Sequence, residues 1–499
     1  MSISQHFPVL IVLLPLTAAL LSPFFSYFHR QAGKWAAVVA LTGAFLCAVG
    51  LLMQTVQDGG QAIHYWMGNW APPLGIEFVV DPINAVIVTM ITFLALMTTI
   101  YSTPFLKNSN WLYMGGYYTL MALLCVGLCG MTLTGDVFNL YVYLEIASLS
   151  GYGLIALGGN KGTLAAFRYL MIGTIGASLY LLAIGFLYSM TGSLNMADLS
   201  VLLQGQMDNP LIAMSVALLI AAFGIKAALF PFHGWQPDSY TYSHPGAAPL
   251  ISGAMSKVPA YAMLRFFFYL FGAQHLFVQH GLTVIGICGA IGIILGSVMA
   301  IAQDDFRRML AYSSVAQIGY IAVGLAIGSL YGLIGAVLHI VNHAFMKGSL
   351  FMVIGGIQYR FGEFRISQLG QIHKKMPFTA LTLCIAALGM IGIPPTGGFF
   401  SKWYIMLGAM STEQYIYVAV LVISSLLNAI YFFRVMENVF INPAPALKEV
   451  NPPAGKLELP LQMLIPIIVM GIGILVLGFC NASIVDGIIK LGLPEVFLR

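Results

Sequence analysis

The sequence predicts an all-α polytopic membrane protein of about fourteen transmembrane helices, built as two inverted five-helix repeats with discontinuous helices 7 and 12. Three observations predict it. Hydrophobic residues make up 59% of the 499 residues and charged residues only 8%, against about a quarter charged in soluble domains. Fourteen apolar segments approach or exceed the roughly 20 residues that cross a hydrocarbon core of about 30 Å. The basic residues outside these segments fall almost wholly in alternate loops.

The segments lie near 7–28, 34–54, 82–102, 111–131, 136–158, 162–191, 210–230, 246–271, 281–302, 306–327, 330–356, 376–408, 415–436 and 460–480. The first, from Phe7 to about Phe28, is too long for a signal-peptide core and has no basic stretch before it, so it reads as a span. Residues 58–81 hold IHYW and GIEFVV around Gly-Asn and Pro-Pro, and they alternate like short strands. A small hairpin on the outer face and an irregular loop both fit.

With the N-terminus outside, the inner loops hold Arg30, Lys34, Lys107, Lys161, Arg307, Arg308, Arg360, Arg365, Lys374, Lys375, Lys448 and Lys456. The outer side holds only Lys490 and Arg499. This positive-inside asymmetry also supports the count, because one missed helix would scramble the alternation. The expected division is 1–110 for helices 1–3 and the outer loop, 111–271 for the first repeat, 272–436 for the second, and 437–499 for helix 14 and the tail. The net charge of +4 is too small to suggest nucleic acid.

Seven of the 21 Lys and Arg residues remain inside spans. Arg168, Arg265 and Arg434 fall near span ends, where a long side chain can snorkel to the interface. Lys226, Lys257, Lys347 and Lys402 lie deeper, with Lys257 almost at the centre of its span. Among the acids Glu145 stands apart, nine residues past Asp136 and so roughly 13 Å deep at 1.5 Å per residue. Each such charge costs on the order of 2.5–3.5 kcal/mol on insertion scales. One acid and four lysines at depth on separate helices point to proton or cation passage more than to structural pairing, since the balance between ammonium and amine moves with the distance to a carboxylate.

Two spans are interrupted. One ends Lys226-Ala-Ala-Leu-Phe-Pro231, and the other runs Gly392-Ile-Pro394-Pro395-Thr-Gly-Gly-Phe-Phe-Ser-Lys402-Trp403. Broken helices in corresponding places of two halves point to an ion site and an internal repeat, spans 4–8 and 9–13. Five spans per unit is an odd number, so the repeats are inverted. The proline follows the lysine in one case and precedes it in the other, a difference the sequence leaves without an account.

His339, His343 and Lys347 follow one another at one-turn spacing and share a stripe on span 11, the pattern of a proton relay. No acid or third histidine joins the pair, so no metal site is expected. His233 and His244 are placed with Asp238 in the loop between spans 7 and 8, at the interface or lining an access path. Asp304, Asp305, Arg307 and Arg308 read as helix capping and topology. Cys47, Cys125, Cys129, Cys288, Cys384 and Cys480 all lie in apolar runs and read as packing residues. No Gly-rich phosphate loop, cysteine cluster, haem motif or nucleophile constellation appears, so no cofactor is expected.

The motifs GDVFNLYVYLEIASLSGYGL (135–154), IKAALFPFHGWQPDSYTYSHPGAAPLISGAMSK (225–257), DFRRMLAYSSVAQIGYI (305–321), HIVNHAFMKGSLF (339–351) and GIPPTGGFFSKW (392–403) resemble the antiporter-like subunits of complex I, membrane-bound hydrogenases and Mrp-type cation/proton antiporters. The resemblance covers essentially the whole chain. It leans to the D subunit of Mrp antiporters through GNWAPPLGIEFVVDPINA (68–85), the fourteen-span length and a lysine in span 12. A quinone-reductase subunit that ends its path in a glutamate there fits less well, and the lateral helix of the longest members is not expected.

The resemblance implies that Glu145 and Lys226 pair in the first half-channel. Lys257 carries the central axis onward, His339, His343 and Lys347 link to the second half-channel, and Lys402 terminates it. It also implies a bacterial or archaeal cytoplasmic membrane, partner membrane subunits, and protons and a monovalent cation such as Na+ as cargo. The leading expectation is thus a proton-translocating subunit of a multisubunit Na+/H+ antiporter. The same fold in a redox complex is the alternative, with translocation but no redox centre of its own. A stand-alone transporter of an organic solute would need a solute-matched pocket between the halves, where the sequence places a line of lysines.

Overall fold

Inside a bilayer each segment must satisfy its own backbone polar groups, which makes a helix of nearly every apolar run. The structure is a computed structural model, and its described residues are 3–362, 365–443, 449–452 and 458–494. Lys448, Lys456 and Arg499 lie outside the described residues.

Eleven helices among the described residues are long and apolar enough to cross a membrane. They supply span 1 (Phe7–Phe28), span 2 (Ala32–Gln57), span 3 (Pro82–Ser102), span 4 (Trp111–Leu133), span 6 (Asn160–Thr191) and the first part of span 7 (Pro210–Ala227). Span 9 (Leu276–Ile301), span 10 (Phe306–Ala326), span 11 (Leu330–Phe361), span 13 (Tyr415–Phe440) and span 14 (Leu461–Phe479) complete that set. The three other expected spans are present but atypical. Span 5 (Val137–Ala156) is unbroken, though Asn139, Glu145, Ser148 and Ser150 dilute its apolarity. Span 8 runs from Ala248 to Leu270 through two π-helical turns, Ile251–Met255 and Arg265–Leu270, around Lys257–Leu264. Span 12 is two helices, Pro377–Ile391 and Gly397–Ser411, so it reaches three residues beyond the expected 408.

Residues 58–81 form the hairpin rather than an irregular loop. Strand β1 (Ile63–Trp66) pairs antiparallel with β2 (Glu77–Val80), with Ile63 opposite Val80 and Trp66 opposite Glu77. The hairpin is tied to the bundle, because Phe78 bridges to Thr134 after span 4 and Asn195 bonds the Glu77 carboxylate at 2.7 Å. The face that carries it is called the hairpin face below, and the opposite one the basic face.

Span 7 also departs from expectation. The chain turns at Ala228, whose φ is +61°, makes a short 3-10 turn at Phe232–Trp235, and resumes as a helix over Gln236–Tyr242. Pro237 sits in the first turn of that piece, where a missing N–H costs nothing. His233 therefore lies inside the break and Asp238 on the second piece of the helix, while only His244 occupies the connecting loop.

The three arginines expected to snorkel are instead held by protein groups. Arg168 and Arg308 both bind Asp238, at 2.8 and 3.1 Å. Arg265 pairs with Asp81. Arg434 donates to the carbonyl of Ile301 at 2.9 Å and to that of Gln303. Lys34, placed in a loop by sequence, lies in the first turn of span 2 with its ammonium 4.5 Å from the centre of the Trp35 ring. Asp305 caps span 10 as expected, accepting from the Arg308 N–H at 3.1 Å.

Candidate functional site

Glu145 comes from span 5 and Lys226 from the last turn of the first helix of span 7. Their charged atoms stand 3.5 Å apart. Lys226 Nζ also donates to Ser148 Oγ at 2.8 Å, one turn along from Glu145. The environments differ: the Lys226 side chain is 3% exposed and that of Glu145 is 29% exposed, on the flank of the bundle. Behind the pair the break is wedged by Trp235, which stacks on Tyr169 with ring centres 3.6 Å apart and donates to the Ile225 carbonyl at 2.8 Å.

The two breaks obey one rule that the sequence hid. A helix end exposes carbonyls and the negative end of its dipole. Lys226 lies in such a last turn. Lys402 follows its break, yet its Nζ reaches back to the last carbonyls of the preceding helix, Met390 at 2.8 Å and Ile391 at 3.0 Å. Gly392, at φ +92°, makes the turn, and a Cβ on it would press on the Lys402 chain at 3.1 Å. Each amine is thus placed at the carbonyl end of a half-helix, whichever side of the proline it comes from.

Lys257 lies between these sites with no exposed surface. The π turn before it leaves the Ser252 carbonyl turned to its Nζ, and Ser256 Oγ lies 3.3 Å away. The turn packs against span 11: a Cβ on Gly253 would collide with Leu94 and stand 3.3 Å from the Ala344 carbonyl. On span 11, His339, His343 and Lys347 are all without exposed surface. The two imidazoles stack with centres 5.7 Å apart, and His339 Nδ1 meets Ser401 Oγ at 2.9 Å. Lys347 Nζ donates to the Leu310 carbonyl at 2.6 Å and to Ser313. Lys402 Nζ closes the line 4.8 Å from the centre of the Tyr320 ring.

Of the groups read as an access path, His233 is half-buried within the break beside Phe230, and Asp238 is occupied by two arginines. His244 stands in the loop, where burial first and the Arg307 charge second push its pKa down to about 4. The Gly246 N–H donates to its Nδ1 at 3.1 Å, so the neutral ring carries its proton on Nε2. Its neighbours Ser243 and Pro245 line a cavity of about 1010 Å3 on the basic face, together with Lys161, Asp304 and Arg307. Because the unfolded chain binds this proton near pH 6.5 and the folded chain near 4, His244 favours the fold above pH 6.5 and loses that contribution as pH falls toward 4. The loss is on the order of 3 kcal/mol. Thermal unfolding of the detergent-solubilised protein should therefore vary less with pH over this window in His244→Asn than in the wild type. An unchanged pH dependence would place the histidine outside the fold's proton balance.

Residues 134–428 match the family described as NADH:quinone oxidoreductase/Mrp antiporter, TM. The chain belongs to this family. The antiporter-like chain is 45% identical over 506 residues to the NADH-quinone oxidoreductase subunit N of Desulforudis audaxviator, covering 98% of this chain and 99% of that one. It is 30% identical over 458 residues to the D subunit of the Na(+)/H(+) antiporter of Alkalihalophilus pseudofirmus, covering 91% and 90%. Its fold matches a chain of the Mrp complex from Dietzia with a TM-score of 0.88 at 23% identity, over 100% of this chain and 98% of that one. A chain of the archaeal membrane-bound sulfane sulfur reductase matches with a TM-score of 0.88 at 27% identity, over 97% and 96%. These structural neighbours belong to multisubunit membrane complexes.

Within this antiporter-like fold, sequence reading found the ionisable groups and missed their holders. Ser148, Ser252, Ser256, Ser313 and Ser401 supply oxygens around Lys226, Lys257, Lys347 and His339, whereas Lys402 is held by the carbonyls of Met390 and Ile391. Ser148 was findable, three residues from Glu145, whereas the others come from neighbouring helices or depend on a π turn. Gln317 was also missed. It is fully buried on span 10, and both of its side-chain polar atoms, both ring nitrogens of His343 and Nε2 of His339 have no protein hydrogen-bond partner among the described residues. Buried polar atoms of this kind are satisfied by water.

Proposed function

We propose that this chain conducts protons along the line Glu145, Lys226, Lys257, the span-11 groups His339, His343 and Lys347, and Lys402, as a subunit of a multisubunit membrane complex. One observation carries the reading. Of the four lysines on this line only Lys226 has a carboxylate within ion-pair distance among the described residues; Lys257, Lys347 and Lys402 are held by carbonyl and hydroxyl oxygens. Structural ion pairing needs a counter-charge for each, because an uncompensated buried charge is strongly destabilising. A neutral amine in the same place costs little. Held by neutral oxygens, these amines can take up and release a proton without breaking an ion pair, which is what a carrier must do. The membrane potential supplies about 2.3 kcal/mol per charge per 100 mV to drive the passage.

The redox-driven setting is favoured by the whole-length, 45% identical relative named as a quinone oxidoreductase subunit. This reverses the order that the motifs suggested. The antiporter setting keeps the 30% identical relative named as a Na(+)/H(+) antiporter chain in its support. There the cation would move through a partner. Purification from the native membrane separates the two: hydrophilic iron–sulfur subunits would accompany a redox machine, and only small membrane subunits an antiporter. Recovery of the chain alone, fully active, would overturn both.

The proposed orientation has the hairpin face and N-terminus outside. Arg30, Lys107, Lys161, Arg307, Arg308, Arg360, Arg365, Lys374 and Lys375 share the opposite face, as positive-inside topology requires. Single cysteines at Gly59 and Asn108 should be labelled from outside and inside respectively by an impermeant thiol reagent.

A further inference from the structure

Lys257 begins a second polar stripe that the line above does not use. Tyr261, Arg265 and Tyr269 follow it at four-residue spacing up span 8, toward the hairpin face. The Arg265 Nε donates to the Tyr261 hydroxyl, and that hydroxyl lies 3.4 Å from the Thr132 carbonyl. The Arg265 guanidinium rests 4.3 Å from the centre of the Tyr269 ring and donates to Asp81 Oδ2. Both members of the ion pair are nearly covered, with side chains 14% and 11% exposed.

Beside this stripe lies a cavity of about 240 Å3, lined by Tyr261, Arg265 and Tyr269 from span 8, Thr132 from span 4, and His64 and Glu77 from the hairpin. At roughly 30 Å3 each, several water molecules fit. Its wall toward the hairpin surface carries a buried carboxylate, Glu77, bonded to the half-exposed His64 at 2.9 Å. The cavity thus joins a proton-accepting pair near the surface to the hydroxyl one turn above the central lysine, and the Arg265–Asp81 pair sits at that junction.

We propose that this cavity is a second proton port, giving Lys257 its own route to the hairpin face, and that Arg265 holds it shut. The inference rests on the conducting role of Lys257. The proton leaves the Lys257 ammonium, passes the Tyr261 hydroxyl by exchange of one proton for another, and reaches water in the cavity or the Glu77–His64 pair. Arg265 keeps its proton throughout, and its fixed charge repels another cation at the junction. Asp81 is the immobile partner, because its Oδ1 also caps span 3 through the N–H groups of Ile83 and Asn84 at 2.9 and 3.0 Å. The long arginine side chain is the movable one.

The test uses the intact complex in sealed vesicles with its driving reaction absent and a pH gradient imposed. Arg265→Gln should raise passive proton leak on the order of tenfold over wild type, and adding Lys257→Met should return it to the wild-type level. A leak that persists in the double variant would show a path that bypasses Lys257, and no leak in a correctly assembled Arg265→Gln complex would show no gate; either sinks the port. Where Arg265→Gln fails to assemble, Tyr261→Phe in a wild-type background and an impermeant thiol reagent on Ala262→Cys, which lines the cavity, take its place. The cysteine should be modified from the hairpin side only, and protection from both sides overturns the proposal. Driven transport is read in parallel for wild type and Lys226→Ala. If Lys226→Ala transports normally, the conducting line itself fails; if it does not, and Arg265→Gln shows no leak, only the port fails.

Discussion

Lys226→Ala is expected to lower driven proton transport by at least tenfold, to the background of empty vesicles, with the amount of assembled complex unchanged. The amine is the only cation within ion-pair distance of Glu145 among the described residues, and it is held there by Ser148. Removing it takes away the proposed carrier at the first broken helix. The decisive variant is Lys226→Arg. If the pair only fastened span 5 to span 7, arginine would serve as well or better, since a guanidinium binds carboxylates in a fork. If Lys226 must release its proton, arginine fails, because its guanidinium stays protonated in proteins. Both variants are therefore expected to be inactive, and arginine rescue of transport would return the pair to a structural role. Ser148→Ala removes one hydrogen bond, a contribution of about 1 kcal/mol. It should slow transport severalfold without stopping it, read as the initial rate of acidification.

The depth and type of the charged residues were legible because a bilayer has a known thickness and a known penalty for charge. Glu145, Lys226, Lys257 and Lys402 each stood out by counting along an apolar run. The helix breaks were legible through Pro231, Pro394 and Pro395, though not their reach. His233 was placed in a loop because the seventh apolar segment was ended at 230, just before Pro231, whereas the helix resumes at Gln236 once Pro237 occupies its first turn. Arg265 was misplaced for a related reason. Near a span end, an arginine free to snorkel and an arginine bound to Asp81 look identical in sequence, and the two residues are 184 positions apart. Ser148 apart, most neutral holders of the lysines were illegible, because they are carbonyls freed by a break or a π turn, as at Met390, Ile391 and Ser252, or groups on another helix, as Leu310 and Ser313 are for Lys347. No side-chain pattern encodes a carbonyl such as that of Met390 or Ser252. The common placement of Lys226 and Lys402 at helix carbonyl ends was hidden for the same reason, since their order relative to proline is opposite.

Gly478→Ala is expected to disable the second half-site, although the residue carries no chemistry and lies on span 14. A Cβ at this position would overlap the Pro395 carbonyl and stand 2.9 Å from the Gly397 nitrogen. Both neighbours are backbone, so neither can turn aside as a flexible side chain would. The bend of span 12 is thus seated directly on span 14. The same bend presents the Met390 and Ile391 carbonyls to Lys402 and is further held by Asn342, which donates to the Gly397 carbonyl at 2.7 Å. Overpacking of this kind costs about 1–3 kcal/mol, occasionally more. Relief by moving the bend shifts the carbonyls away from the amine, and relief by moving span 14 loosens the apolar packing behind it. The expected outcome is a fall in driven transport on the order of tenfold together with a lower thermal unfolding temperature. Gly487→Ala is the matched control, because a Cβ there meets nothing within 4 Å. Transport and unfolding of Gly478→Ala indistinguishable from that control would mean that the bend of span 12 does not depend on its contact with span 14.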